Sequence, residues 1–296
     1  TVAMHNSRRR PGALRMAPVI LALASLLTAA SGPARAQRST DWASQNLNLD
    51  NNRFAPLDEI NAGNVSRLAE QWTYAVGPTD NIAQATPLVV GGVMYLHSRS
   101  TLFALNATTG EELWSSVLDG GDPGGSPVRG PTFVDGKIYA YRGADLYAMD
   151  AATGDPVESF GNEGVLAVVS NALQQKYPDD YPPTLNPVSI GYRITTPPAH
   201  HAGTMYVAAA LSEGHIPGGL VIATDSDTGA IKWVFNTIPQ GPQDEGWEIA
   251  SDTWGDGARA GGGIWTQPAI DTDLGLVYIN AGNPSPDYDG SVRIGI

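Results

Sequence analysis

The run Gly261-Gly262-Gly263-Ile264-Trp265 and the turn Gly282-Asn283-Pro284 hold residue types suited to chemistry. Glycines let a backbone approach a flat ligand closely, and an adjacent indole offers a stacking face. Gly263-Ile264-Trp265 could therefore form one wall of an aromatic cofactor site. Asn283 has a side-chain oxygen suited to a hard cation such as Ca²⁺. The same residues also fit a plainer reading, a loop tryptophan packed on glycine and an asparagine closing a turn. Other candidates are weaker. Asp225-Ser-Asp227 and Asp271-Thr-Asp273 lack the spacing of an EF-hand loop and read as ordinary turns. His200 and His201 are adjacent on an expected strand, so they point to opposite faces and read as structural.

The elements that must position these residues are short strands. Thirty-four Gly and 22 Pro in a chain of 296 residues that is 42% hydrophobic imply many turns between short strands, which favours an all-β class. Four segments share a proline, an apolar strand, a turn glycine and a tyrosine three residues further on. They start at Pro87, Pro131, Pro198 and Pro268 and end at Tyr95, Tyr139, Tyr206 and Tyr278. Each reads as a hairpin. The first three run on into Ala-x-Asp/Asn-x-x-x-Gly-x-x-x-Trp, at Ala104 to Trp114, Ala148 to Glu158 (a glutamate in the tryptophan position) and Ala223 to Trp233. Units of about 40 to 45 residues with four short strands and one aromatic each are the pattern of a β-propeller blade. The Asp/Asn-x-x-x-Gly part makes a tight turn, and the tryptophan can lie flat on the neighbouring blade. Insertions at 155 to 195 and 236 to 264 are expected to emerge on one face. Ahead of the repeats, Asn61 or Asn64 can cap a short helical turn before Val65, Leu68 and Trp72.

Residues 4 to 36 combine four arginines near Met4, an apolar run from Ala17 to Ala30, and Ala34-Arg35-Ala36. This is the layout of a secretory signal peptide cleaved before Gln37, which places the mature chain in the periplasm. No later segment is long and apolar enough to cross a membrane. The absence of cysteine excludes disulfides and thiolate metal sites. Residues 1 to 36 hold five of the 17 basic residues and none of the 30 acidic ones. The mature chain therefore carries 12 basic against 30 acidic residues, a formal charge of −18. Phosphate binding needs clustered Lys and Arg, so nucleic acid is excluded as a partner. A basic redox partner would be steered favourably.

Taken together, the tryptophan repeat, Asp41-Trp42, Arg53 to Asp58, Gln84 to Val90, Thr195-Thr196, Gly261 to Trp265 and Gly282-Asn283-Pro284 resemble the pyrroloquinoline-quinone-dependent dehydrogenases. The resemblance covers Asp41 to Gly290. It implies an all-β fold, an eight-bladed quinoprotein β-propeller of which residues 37 to 296 form the N-terminal half, about four blades.

The resemblance also implies the site. The cofactors are pyrroloquinoline quinone and Ca²⁺. The quinone would rest on Trp265, be held by Arg129 and by a hydroxyl of Thr195 or Thr196, and be approached by Gln84, where many relatives have glutamate. Glu213 and Asn283 would ligate the cation. The family's general-base aspartate is expected beyond Ile296, so the segment alone should be inactive. The implied activity is oxidation of an alcohol, polyol or sugar with transfer of electrons to cytochrome c or a quinone. The adjacent-cysteine disulfide of many alcohol-oxidising members has no counterpart here. A rival reading is a cofactor-free propeller of the same repeats acting as a periplasmic scaffold. Such a scaffold gives no reason to combine Arg129, Glu213, Trp265 and Asn283.

Overall fold

The repeats fold as three four-stranded antiparallel sheets, each a meander in chain order. In the computed structural model the described residues are 41–78, 80–120, 127–209, 215–255, 257–291 and 293, so the expected signal peptide lies outside them. The first sheet contains β1 (Leu88–Val90), β2 (Val93–His97), β3 (Thr101–Asn106) and β4 (Glu112–Val117). The second contains β5 (Thr132–Val134), β6 (Lys137–Arg142), β7 (Asp145–Asp150) and β8 (Val165–Leu166), followed by helix α1 (Val168–Lys176). The third contains β9 (Ala199–His201), β10 (Thr204–Ala209), β11 (Leu220–Asp225) and β12 (Ile231–Asn236), followed by the short helix α2 (Trp247–Ala250). Two two-stranded ladders complete the described strands. One pairs β13 (Ala260–Gly261) with β16 (Pro284–Ser285), and the other pairs β14 (Ala269–Asp271) with β15 (Leu276–Tyr278). The described residues thus form three four-stranded sheets and one hairpin of a further unit, in keeping with about four blades, and these sheets do not close into a ring.

Strand register explains the repeat. Tyr95 pairs with Ala104, which pairs with Trp114 on its other side. Tyr206, Ala223 and Trp233 form the same row in the third sheet. The central residue is alanine because two large rings flank it across the ladder, with centroids 6.0 Å apart in both sheets. The Asn or Asp two residues on closes the turn. Asn106, Asp150 and Asp225 each accept two backbone N–H bonds on Oδ1. Asp271 does the same in the β14–β15 turn, so the aspartate-rich segments are ordinary turns.

Of the repeat tryptophans, Trp114 docks on the next sheet as expected, and Trp72 ahead of the repeats docks in the same way. A Cβ on Gly154 would lie 2.6 Å from the Trp114 ring, and one on Gly110 would lie 2.6 Å from Trp72. Ala151 O accepts both Trp114 Nε1 and Tyr95 Oη at 3.1 Å, which locks the first sheet onto the second. Where Glu158 replaces tryptophan, Leu166 and Phe160 cover Gly229 instead. Tyr139 Oη keeps the hydroxyl contact, to Ser226 O. Trp233 remains 42% exposed.

Two expectations change. The insertion at 155 to 195 does not simply emerge at a face, because α1 buries Val168, Val169, Ala172 and Leu173 in the core between the second and third sheets. The helical turn near Asn64 is only the 3-10 segment Val65–Arg67, and Val65 and Leu68 are exposed.

Strands β1, β5, β9 and β14 lie at the edges of their sheets, where backbone groups need other partners. The segment from Trp42 to Asn51 supplies several. Trp42 exchanges hydrogen bonds with Val89 of β1, Ala43 O accepts from Phe133 N of β5, and Leu49 O accepts from Ile270 N of β14. This asparagine-rich stretch is therefore a strap across three sheets, which no local pattern in the sequence revealed.

Candidate functional site

The candidate residues cluster just ahead of the edge strands. Gln84, Arg129, Thr195, Thr196 and Trp265 stand two or three positions before Pro87, Pro131, Pro198 and Pro268. They therefore gather at the same end of successive units, and Arg129 touches both Thr195 and Trp265.

Arg129 is the centre. Its N–H donates to Tyr141 Oη at 2.9 Å, its carbonyl accepts from Thr86 N at 3.0 Å, and Nη1 donates to Thr195 O at 2.8 Å. Gly130 permits this approach of two sheets, since it has φ +120° and a Cβ there would lie 2.5 Å from Thr86 O. The guanidinium carbon lies 5.3 Å from the centroid of the Trp265 ring, which is 44% exposed. Burial pulls the Arg129 pKa below its usual value, and the side chain remains a cation. Among the described residues no carboxylate lies within ion-pair distance of it.

The wall behind Arg129 is neutral. Burial raises the Tyr141 pKa and lowers that of His97 to about 4, and the two rings meet edge to face at 5.0 Å. Thr195 and Thr196 are fully buried, and among the described residues neither Oγ1 has a hydrogen-bond partner. Buried hydroxyls are ordinarily paired, and a partly buried cation ordinarily has a counter-charge. A half-buried guanidinium, two unpaired hydroxyls and an open indole face together suit a flat, polyanionic ligand. A tricarboxylate ortho-quinone fits that donor set.

The two expected cation ligands fare differently. Glu213 lies outside the described residues. Asn283 has an exposed side chain, and its carbonyl accepts from Gly262 N at 2.8 Å. Adjacent segments tie their neighbourhoods together: His215 Nδ1 lies 2.7 Å from Ser285 Oγ, and Gly261 N donates to Ile216 O at 2.9 Å. The first two glycines of the run have a structural use. Gly261 and Gly262 admit neighbouring protein segments, with would-be Cβ atoms 2.5 Å from Asn283 O and 2.7 Å from Thr237 Oγ1. Among the described residues no three His, Asp or Glu side chains converge. Gln84 is exposed, and its side chain makes no hydrogen bond among the described residues. A cavity of ≈ 340 Å³ between the strap and β5, β9 and Gln267 includes none of the candidate residues in its lining.

Sequence reasoning missed Tyr141, His97, Thr132, Gln267 and His215. Thr132 and Gln267 adjoin the repeat prolines, and that position is the one signal that could have pointed to them.

Comparison with known proteins gives a consistent result. The family profile described as glucose/ethanol/alcohol dehydrogenase, beta-propeller domain, designated PQQ, matches residues 42–295. The chain is 31% identical over 264 residues to a quinohemoprotein alcohol dehydrogenase of Comamonas testosteroni, covering 86% of this chain and 35% of that protein. It is 32% identical over 288 residues to the dehydrogenase subunit of an alcohol dehydrogenase (quinone) of Gluconobacter oxydans, covering 91% and 36%. The crystal structure of the Comamonas testosteroni quinohemoprotein alcohol dehydrogenase superposes with a TM-score of 0.68 at 27% identity, covering 88% of this chain and 38% of that one. The chain thus spans about a third of the length of the curated relatives it matches.

Proposed function

Because this chain belongs to the pyrroloquinoline-quinone glucose/ethanol/alcohol dehydrogenase β-propeller family, we propose that it is part of a periplasmic quinoprotein that oxidises an alcohol, polyol or sugar. The observation that carries the reading is the half-buried Arg129 guanidinium, which has no carboxylate partner among the described residues, beside the Thr195 and Thr196 hydroxyls, unpaired among the same residues, and the open face of Trp265. When bound, the quinone supplies a two-electron acceptor for the hydride of a carbinol carbon. Trp265 offers a flat apolar floor. Arg129 supplies a planar cation for a carboxylate or carbonyl, already desolvated on one side and fixed by Tyr141 and Thr195. Thr195 and Thr196 offer hydroxyls to an acid group, and Gln84 lies at the same end of the first sheet. Glu213 and Asn283 are the oxygen donors for Ca²⁺, drawn from two segments that the His215 and Ser285 contact holds together. Electrons pass to cytochrome c or a quinone, and the mature chain's negative charge favours a basic carrier. No helix among the described residues is long and apolar enough to cross a membrane.

The test is titration of the chain with pyrroloquinoline quinone in the presence of Ca²⁺, followed by tryptophan fluorescence. Quenching should saturate in the parent, be smaller in Trp265→Phe and need far more quinone in Arg129→Ala. Equal behaviour of all three would remove the assignment.

A further inference from the structure

Thr132, Pro198 and Gln267 belong to three different units, yet they meet at one atom. Thr132 Oγ1 donates to the Pro198 carbonyl at 2.7 Å, and Gln267 Nε2 donates to the same oxygen at 3.0 Å. A carbonyl oxygen has two lone pairs and can accept both bonds at once. All three residues are buried, with Thr132 at 3% and Gln267 at 5% exposure. Proline has no N–H, so this oxygen is the one backbone hydrogen-bonding group Pro198 has to satisfy.

The position of the junction matters more than its strength. Thr132 follows Arg129 by three residues, Pro198 follows Thr196 by two, and Gln267 follows Trp265 by two. In extended chain each residue spans about 3.3 Å, so the junction lies within about 10 Å of backbone from every one of these side chains. The strands it joins, β5, β9 and β14, belong to separate sheets with no ladder between them. Apolar packing between sheets is non-directional and tolerates sliding, whereas two bonds to one oxygen fix relative position. The strap secures the third arm, because Asn51 Nδ2 donates to the carbonyl of Gln267 at 3.0 Å.

We propose that Thr132 and Gln267 are positioning residues for the quinone site: by converging on the Pro198 carbonyl they set the spacing between the Arg129 guanidinium, the Thr195 and Thr196 hydroxyls and the Trp265 ring. The inference rests on the quinone reading above. Neither residue is one of the candidate contacts, and their part is to hold three contacts in a common frame.

The experiment compares the full chain with Thr132→Val, Thr132→Ser, Gln267→Met and the Thr132→Val/Gln267→Met pair. Quinone affinity in Ca²⁺ buffer is read by fluorescence quenching, and the thermal midpoint is read in the apo form. Thr132→Val and Gln267→Met should each weaken quinone binding by about fivefold to tenfold, and the pair by more than either. Thr132→Ser keeps the hydroxyl and should stay within about twofold of the parent. A role in stability alone would lower the midpoint and leave the affinity of the folded fraction unchanged. Parent-like affinity in the double variant, with Arg129→Ala still weakening binding, would overturn this inference and leave the quinone reading intact. Failure of the parent to bind quinone would overturn both.

Discussion

His215 Nδ1 lies 2.7 Å from Ser285 Oγ, which joins the segment just after Glu213 to the turn just after Asn283. Each partner stands two residues beyond an expected cation ligand. The backbone bonds from Gly261 to Ile216 O and from Gly262 to Asn283 O reinforce the same junction.

The first expected outcome concerns these ligands. Calcium binding by the apo-protein, measured calorimetrically, should weaken by about tenfold or more in Glu213→Ala and in Asn283→Ala, since each removes one of few oxygen donors. Ser285→Ala should weaken it by a smaller factor, about threefold, by loosening the junction. Unchanged affinity in both ligand variants would show that the cation, if bound, sits elsewhere.

Tryptophan docking gives a stability prediction with an internal control. Gly136 and Gly154 have similar φ angles, +79° and +78°, but a Cβ at Gly136 would meet nothing within 4 Å whereas one at Gly154 would strike the Trp114 ring. Gly136→Ala should cost about 1 kcal/mol for backbone strain alone. Gly154→Ala should cost about 3 kcal/mol, since the ring must also shift. Equal urea midpoints would mean that the ring moves freely and is no lock.

His97 sets a pH dependence. Burial lowers its pKa from 6.5 to about 4, so between those values the unfolded chain binds a proton that the folded chain does not. Its contribution is therefore fully present above about pH 6.5 and is lost as pH falls towards 4, by about 3 kcal/mol across the window. The difference in unfolding free energy between the parent and His97→Phe, followed from pH 7 to 4.5, should change by an amount of that order. A difference independent of pH would place a protonated or solvated His97 in the native state.

The loop after β12 is anchored by a buried charge. Asp244 accepts from Tyr177 Oη at 2.9 Å and from Gln240 N at 2.7 Å, and it pairs with Lys176 at 3.0 Å, all with its side chain inaccessible to solvent. Lys176→Met should destabilise by about 3 kcal/mol because it leaves the buried carboxylate without its cation. Asp244→Asn should cost less, since it keeps acceptor oxygen for Tyr177 and Gln240 and leaves Lys176 within 3.3 Å of Glu245. The reverse order in thermal melts would contradict this account.

Much of this architecture was legible along the chain because it is local. The row of tyrosine, alanine and tryptophan, the turn carboxylates and the docking glycines recur at fixed spacing, and each follows from strand alternation and from the steric limits of a tight turn. The candidate contacts Arg129, Thr195, Thr196 and Trp265 came instead from the family resemblance, and each stands two or three positions before a repeat proline. The fourth unit is represented by β14 and β15, which carry the opening half of the repeat pattern without its closing half.

What the sequence determined by itself is therefore the all-β repeat, its register and the residue types at the head of each unit. The tertiary structure alone decided how those units meet. It placed the Arg129 guanidinium over Trp265, left the Thr195 and Thr196 hydroxyls unpaired, ran the segment from Trp42 to Asn51 across three sheet edges, and brought Thr132 and Gln267 to one carbonyl. These contacts join residues separated by 47 to 221 positions. Local periodicity carries no information about such distances. They are set by the packing of one sheet on the next and by the need of buried polar groups to find partners wherever the fold brings them.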